Sequence, residues 1–280
     1  MYKKALTLLA FAGLLYISST AQQLKTPAAS PPQFVKQDFG ISSIELSYSR
    51  PGMRHRQIFG DLVPYGKVWR TGANQATTLN FGDDVTIGGT RIPAGKYGLL
   101  TIPGPDEWTF IITRQLDVTN PSAYKADQDV VRVSVKPQEL PFPIETFTIL
   151  FSNMSAASCD LVLLWDRTAV MLPIKTEVDA KVMAQIDNAL QKKDSFPYFS
   201  AGVYYLENGK DLNKALEWLS KATDQSPDAY YMFYQKAKCQ AKLGKKQEAI
   251  ATAKQSIALA TKAGNGDYVA LNEKLIAGLK

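Results

Sequence analysis

The chain has a single histidine, His55, and only two cysteines, Cys159 and Cys239, in 280 residues. One histidine excludes multi-histidine metal centres, and two distant cysteines exclude a Cys-rich zinc site. The two thiols read as independent small buried residues rather than a disulfide. The sequence holds no Gly-x-Ser-x-Gly elbow, no phosphate loop ending in Gly-Lys-Ser/Thr and no dinucleotide fingerprint. A Ser-His-Asp site would have to use His55, and no nearby serine has a supporting motif. Carboxylate pairs occur at Asp83-Asp84, Asp106-Glu107 and Asp127/Asp129, in turn-like contexts where such residues cap or solvate backbone. A carboxylate calcium site is the one metal option left open. No cofactor is expected.

Arginine is also absent from a third of the chain. All eight (Arg50, Arg54, Arg56, Arg70, Arg91, Arg114, Arg132, Arg167) precede residue 170, and lysine alone carries the positive charge beyond. Arginine suits fixed, forked hydrogen bonding and lysine suits solvated helix faces, so the switch marks a domain boundary near Lys175. The hydrophobic content of 45% fits two folded domains rather than disorder.

The N-terminus has the three regions of a secretory signal. Lys3 and Lys4 are followed by the apolar run Leu6 to Ile17 and by the small residues Ser19-Thr20-Ala21. The run is too short for a membrane span, which needs about twenty residues. No cysteine lies near Ala21 to take a lipid. Residues 1–21 are therefore expected to be a signal peptide and residues 22–33 a flexible lead-in. Loss of Lys3 and Lys4 lowers the formal charge from +6 to +4, too modest an excess to imply nucleic-acid or membrane binding. The expected location is the periplasm or the cell exterior.

Residues 34–175 read as all-β. Ile44, Leu46 and Tyr48 alternate with polar neighbours, as do Leu79/Phe81, Val85/Ile87 and Val131/Val133/Val135. Gly88-Gly89 and Pro103-Gly104-Pro105-Asp106 are hairpin signals. Ile144 to Phe151, Leu161 to Trp165 and Val170 to Ile174 supply three further strands. Nine or ten short strands imply an antiparallel sandwich, with a jelly roll or barrel as the alternatives.

One connection between strands, from Tyr48 to Thr77, is too long for a simple turn. It gathers the ligand-binding candidates Arg50, Arg54, Arg56, Tyr65, Lys67, Trp69, Arg70 and Asn74. Arginines offer forked donors to an anion, and Trp69 or Tyr65 offers a stacking face. The competing reading is that these side chains hydrogen-bond the loop's own backbone and hold it against the sandwich.

The string Tyr65-Gly-Lys-Val-Trp-Arg-Thr-Gly-Ala-Asn74 belongs with Ile92-Pro-Ala-Gly-Lys-Tyr97 and Ile102-Pro-Gly-Pro-Asp-Glu-Trp-Thr109. Together they resemble the bacterial domain of unknown function 2911 family, over roughly Pro31 to Ile174. The resemblance implies an exported protein of the Bacteroidetes type and assigns no chemistry. His55 stands where that family's pattern has Gly, and Gln75 stands where it usually has Glu. His55 is thus a poor shared base, and the loop lacks one of the family's carboxylates.

Residues 176–280 read as helical. Thr176 is the expected cap of a helix carrying Val178, Val182, Ile186 and Leu190, which Phe196-Pro197 ends. Ala215, Leu219, Ala222 and Pro227 have the spacing of a tetratricopeptide unit's second helix and terminal proline, and Ala249 repeats Ala215 thirty-four residues on. Tetratricopeptide-like hairpins are preferred over a generic helical bundle. Tyr204, Tyr230, Tyr231 and Tyr234 are the partner-binding candidates. Two functions remain in view. One is an envelope binding or scaffolding protein that docks a protein or peptide through its repeats and holds an anionic or carbohydrate ligand in the β domain. The other is an exported hydrolase of polysaccharide or another polar envelope substrate.

Overall fold

The computed structural model describes residues 26–192 and 196–279. The expected signal peptide lies outside the described residues. The chain divides between Thr176 and Glu177 into two compact units, antiparallel sheets first and helices second.

Among the described residues the first unit holds ten strands. They are β1 (Pro32–Phe39), β2 (Ser42–Ser49), β3 (Thr78–Phe81), β4 (Val85–Ile87), β5 (Thr90–Ile92), β6 (Gly95–Ile102), β7 (Trp108–Thr113), β8 (Asp129–Val135), β9 (Gln138–Ser152) and β10 (Ser158–Thr176). One sheet runs β1-β2-β3-β6-β7-β8 and the other β5-β4-β10-β9. All pairings are antiparallel. Ile44, Leu46 and Phe110 of the first sheet share one core with Ile87, Ile149 and Leu172 of the second, which makes the unit a β-sandwich.

Period-two alternation places most of this core. Gly88 and Gly89 both take positive φ (56° and 79°) and join β4 to β5 in the two-residue turn their sequence implies. Two expectations need correction at the second sheet. Leu161 to Trp165 and Val170 to Ile174 are parts of a single strand, β10. Its buried positions change parity, from 161, 163 and 165 to 170, 172 and 174. The pairing with β9 shifts on either side of Asp166, whose φ is 50°. A bulge there absorbs the odd residue and keeps both halves facing the core. Likewise β9 begins at Gln138, ahead of the expected Ile144, and contains Pro141 and Pro143. It lies at a sheet edge, where proline removes no ladder bond.

The described end of the lead-in is tied to the first sheet. Pro32 and Gln33 belong to β1, and the Pro31 carbonyl accepts a hydrogen bond from Arg50 N.

The second unit contains α1 (Asp179–Gln191), α2 (Tyr198–Glu207), α3 (Leu212–Gln225), α4 (Tyr230–Lys242), α5 (Lys246–Lys262) and α6 (Gly266–Ala277). Asp211 caps α3 by accepting from Asn213 N and Lys214 N. Thr176 is not the cap of α1. It ends β10, and its hydroxyl donates to the Asp84 carbonyl. Small residues set the helix spacing. Ala215 of α3 and Ala249 of α5 are fully buried, and a Cβ on Gly202 of α2 would lie 2.8 Å from Leu219 Cγ. Of the residues expected to line α1's apolar face, Ile186 is buried but Leu190 is exposed.

Candidate functional site

The connection between β2 and β3 is pinned to both sheets. On one side Met53 N donates to the Glu145 carbonyl (2.8 Å) and Phe147 N to the Pro51 carbonyl (2.9 Å). On the other, Trp69 N donates to the Thr101 carbonyl at 2.7 Å and receives the reciprocal bond at 3.0 Å. Between these ties, Phe59 and Trp69 enter an aromatic cluster. Trp69 stacks on Trp165 of β10 at 5.8 Å, and Phe59 meets Trp108 of β7 edge-on at 4.9 Å. The segment is therefore a wall of the sandwich.

Its backbone is held in unusual conformations. Four of the described non-glycine residues with positive φ lie here: Arg54, His55, Thr71 and Asn74. Thr71 is the most telling, because β-branched residues avoid φ near +57° and it is fully buried. Its hydroxyl shares a 3.0 Å hydrogen bond with that of Thr101, and its carbonyl accepts from Thr77 Oγ1 at 2.7 Å. Such conformations cost about 1–3 kcal/mol each and persist where the surroundings over-determine them.

Against this wall lies a cavity of about 440 Å³. Arg56, Lys67 and Arg70 contribute its cations. Trp69 and Trp165 contribute aromatic surface, and Leu62, Val63, Pro64 and Val68 most of the remaining apolar lining. No aspartate, glutamate or histidine lines it. Ser30 brings the only hydroxyl side chain to the lining.

The sequence candidates separate into two groups. Arg56, Lys67, Trp69 and Arg70 meet at the cavity, whereas Arg50, Arg54, Tyr65 and Asn74 do not line it. Arg50 is spent on β9, donating from Nε to the Phe147 carbonyl (3.2 Å) and from Nη2 to Thr148 Oγ1 (2.7 Å). Arg54 Nη2 donates to the Ala29 carbonyl at 2.7 Å, and Asn74 Nδ2 to that of Ser30 at 3.2 Å. These two fasten the lead-in beside the cavity. Tyr65 is exposed and covers Gly60. The backbone-anchoring reading thus accounts for Arg50, Arg54 and Asn74, and it extends to the cavity, where Arg56, Trp69 and Arg70 also donate to backbone carbonyls.

The cavity arginines also have partners, all of them neutral. Arg56 donates to the carbonyls of Met53 (3.0 Å) and Gly52 (2.6 Å), and Arg70 Nη1 to that of Thr119. Arg70 Nε is buried without a partner. Lys67 is exposed and makes no hydrogen bond or ion pair among the described residues. None of the three forms a salt bridge there, in contrast to Arg91 with Asp84 and Arg132 with Asp129.

Sequence reasoning missed Trp165, Ser30 and the apolar lining. Trp165 reads as an ordinary inward strand residue, and nothing local announces that it stacks on Trp69. At least one member of each carboxylate pair serves the fold. Asp84 Oδ1 accepts from Ala94 N (2.9 Å), and Glu107 Oε1 accepts from Ser134 Oγ (3.0 Å). Asp129 holds Tyr124, whose phenol burial and that hydrogen bond push up to about 12. Among the described residues no three His, Cys, Asp or Glu side chains form a group able to hold a metal.

In the helical unit, Tyr204 OH donates to Asp179 Oδ1 at 2.8 Å. Tyr230 meets Tyr268 edge-on and accepts from Asn265 Nδ2 at 3.0 Å, while Tyr234 also meets Tyr268. Tyr231 alone of the four is exposed, with its ring against Phe199. No helix among the described residues is long and apolar enough to cross a membrane.

A β-sandwich whose long strand connection walls a cation-bearing, carboxylate-free cavity defines the first unit. A family model described as "Protein of unknown function (DUF2911)" matches residues 30–174, just over half of the chain. The chain belongs to that family. No curated protein and no solved structure matches it.

Proposed function

We propose that the chain is an exported binding protein of the cell envelope, of Bacteroidetes type, whose β unit holds an anionic ligand and whose helical unit docks a protein partner. The observation that carries the ligand half is the lining of the 440 Å³ cavity, with three cations and no carboxylate or imidazole. A volume between about 300 and 1,000 Å³, mostly apolar with a few polar groups, is typical of small-molecule sites. Hydrolysis usually relies on a carboxylate or imidazole as general acid or base within hydrogen-bond reach of the substrate, and the lining has neither. Binding therefore takes precedence over a hydrolase reading.

The docking half rests on repetition. Ala215 and Ala249 occupy equivalent buried positions on α3 and α5, thirty-four residues apart, as in tetratricopeptide-like repeats. Export rests on the three-part N-terminus and on the family resemblance.

Thermal melts against a panel of anions and neutral saccharides test the first half. An anion that binds the native state at a hundred times its Kd should add about 2.7 kcal/mol of stability. If no anion raises the β unit's transition, the ligand reading fails. For the second half, a photo-crosslinking residue placed at Tyr231 should give one discrete protein adduct in the producing cell. Absence of any adduct there and at Tyr234 removes the docking claim.

A further inference from the structure

The cavity's donors and its walls select among anions. Arginine and lysine are donors only, and the single lining hydroxyl is that of Ser30. A sugar presents hydroxyls that both donate and accept. It is ordinarily met by carboxylate or amide side chains, none of which line this cavity. A carboxylate, sulfate or phosphate head only accepts, and it matches a donor-only set. The charges of Arg56, Lys67 and Arg70 are not neutralised within the unit, because their partners are backbone carbonyls or absent. Arg70 Nε is a buried donor still lacking an acceptor, a deficit that an anionic oxygen would remove.

Size and surface decide the rest. A bare inorganic anion would fill a small part of 440 Å³ and leave the indole of Trp69 and the side chains of Leu62 and Val68 facing water. An apolar body joined to the anionic head would cover them. The chain's own N-terminal segment does not fit the charge. No aspartate or glutamate precedes Asp38.

Resting on the ligand-binding reading above, we infer that the cavity takes an amphiphilic organic anion: one carboxylate, sulfate or phosphate head on an aromatic or aliphatic hydrocarbon body. The head lies among Arg56, Lys67 and Arg70, and the body lies against Trp69, Trp165 and Val68.

The test is isothermal titration of the full chain with 2-naphthoate, decanoate, inorganic phosphate and glucose, with 2-naphthamide as the neutral match. At least one of the two organic anions should bind about tenfold or more tightly than phosphate, glucose or the amide. Lys67→Glu, at an exposed position, should weaken that binding about tenfold while leaving the ligand-free melting temperature unchanged. Phosphate binding as tightly as both organic anions, or the amide binding as tightly as naphthoate, overturns the inference. If phosphate binds and neither organic anion does, this inference falls while anion binding in the β unit stands; if glucose alone binds, both fall. If none of the ligands binds, both fall together.

Discussion

At the scale of single residues, the polar side chains near the cavity divide by what they bond to. Arg50 and Asn74 bond to elements that flank the loop, while Lys67 bonds to nothing described. That division could not be read from the sequence, since all are polar residues in one polar loop. A residue with a clear stabilising role is Tyr48. Its hydroxyl accepts from Ile149 N at 2.9 Å and donates to Gln33 Oε1 at 2.7 Å, so one atom joins β2 of the first sheet to β9 of the second. Tyr48→Phe leaves a buried amide without its acceptor and should destabilise the β unit by about 1–3 kcal/mol. Denaturant titration followed by tryptophan fluorescence measures this, and a change below a few tenths would disprove the bridging role.

Elements show where local signals suffice and where they mislead. The Gly88-Gly89 turn and the alternation in β2 were legible because each depends on contacts only a few residues apart. The parity change within β10 was not, because a bulge is defined by the partner strand, and Asp166-Arg167-Thr168 alone looks like a turn. The Gly88 turn is constrained twice. Its φ of 56° disfavours a side chain, and a Cβ there would lie 2.5 Å from Val133 Cγ2 of β8. Gly88→Ala should cost about 1–3 kcal/mol, with Gly89→Ala, which meets no such neighbour, measurably milder in the same thermal melts.

In the helical unit, Asp179 of α1 is held below the usual carboxylate range by hydrogen bonds from Lys210 and Tyr204. Lys214 and Lys221 do the same for Glu217 of α3. A carboxylate with a lowered folded value stabilises above its unfolded value, and that contribution disappears as pH falls through the lowered one. The helical unit should therefore lose stability as pH drops below the ordinary values of 3.8 and 4.5. Helical melts at about pH 6 and about pH 2.5 should differ less in an Asp179→Asn, Glu217→Gln double variant than in the parent. An equal drop in both would remove these pairs as the cause. The effect is modest, because both carboxylates are exposed.

On the scale of the whole molecule, each unit carries its own buried core and its own cysteine. Cys159 is buried in the sandwich, where burial and the neighbouring Asp160 push its thiol up to about 11. Cys239 lies in α4, its Sγ donating to the Leu212 carbonyl at 3.3 Å, and burial raises it too. Thiolate is the reactive form. An aromatic disulfide reagent at about pH 8 should find no reactive thiol in the native chain and two after denaturation. One thiol titrating early would identify which unit opens first.

The sequence by itself determined the order of the chain, sheets and then helices. Period-two and near-four spacings are local consequences of strand and helix geometry. The arginine-to-lysine switch falls at the same place because fixed loops and solvated helix faces call for different cations. It also singled out the connection between β2 and β3. Only the tertiary structure decided which of that loop's side chains meet. Bringing Trp165 of β10 and Ser30 of the lead-in to Trp69, and turning Arg56, Lys67 and Arg70 toward one cavity while Arg50 is spent on β9, depends on pairings between residues up to a hundred positions apart. No local spacing encodes those distances, because packing of the two sheets sets them.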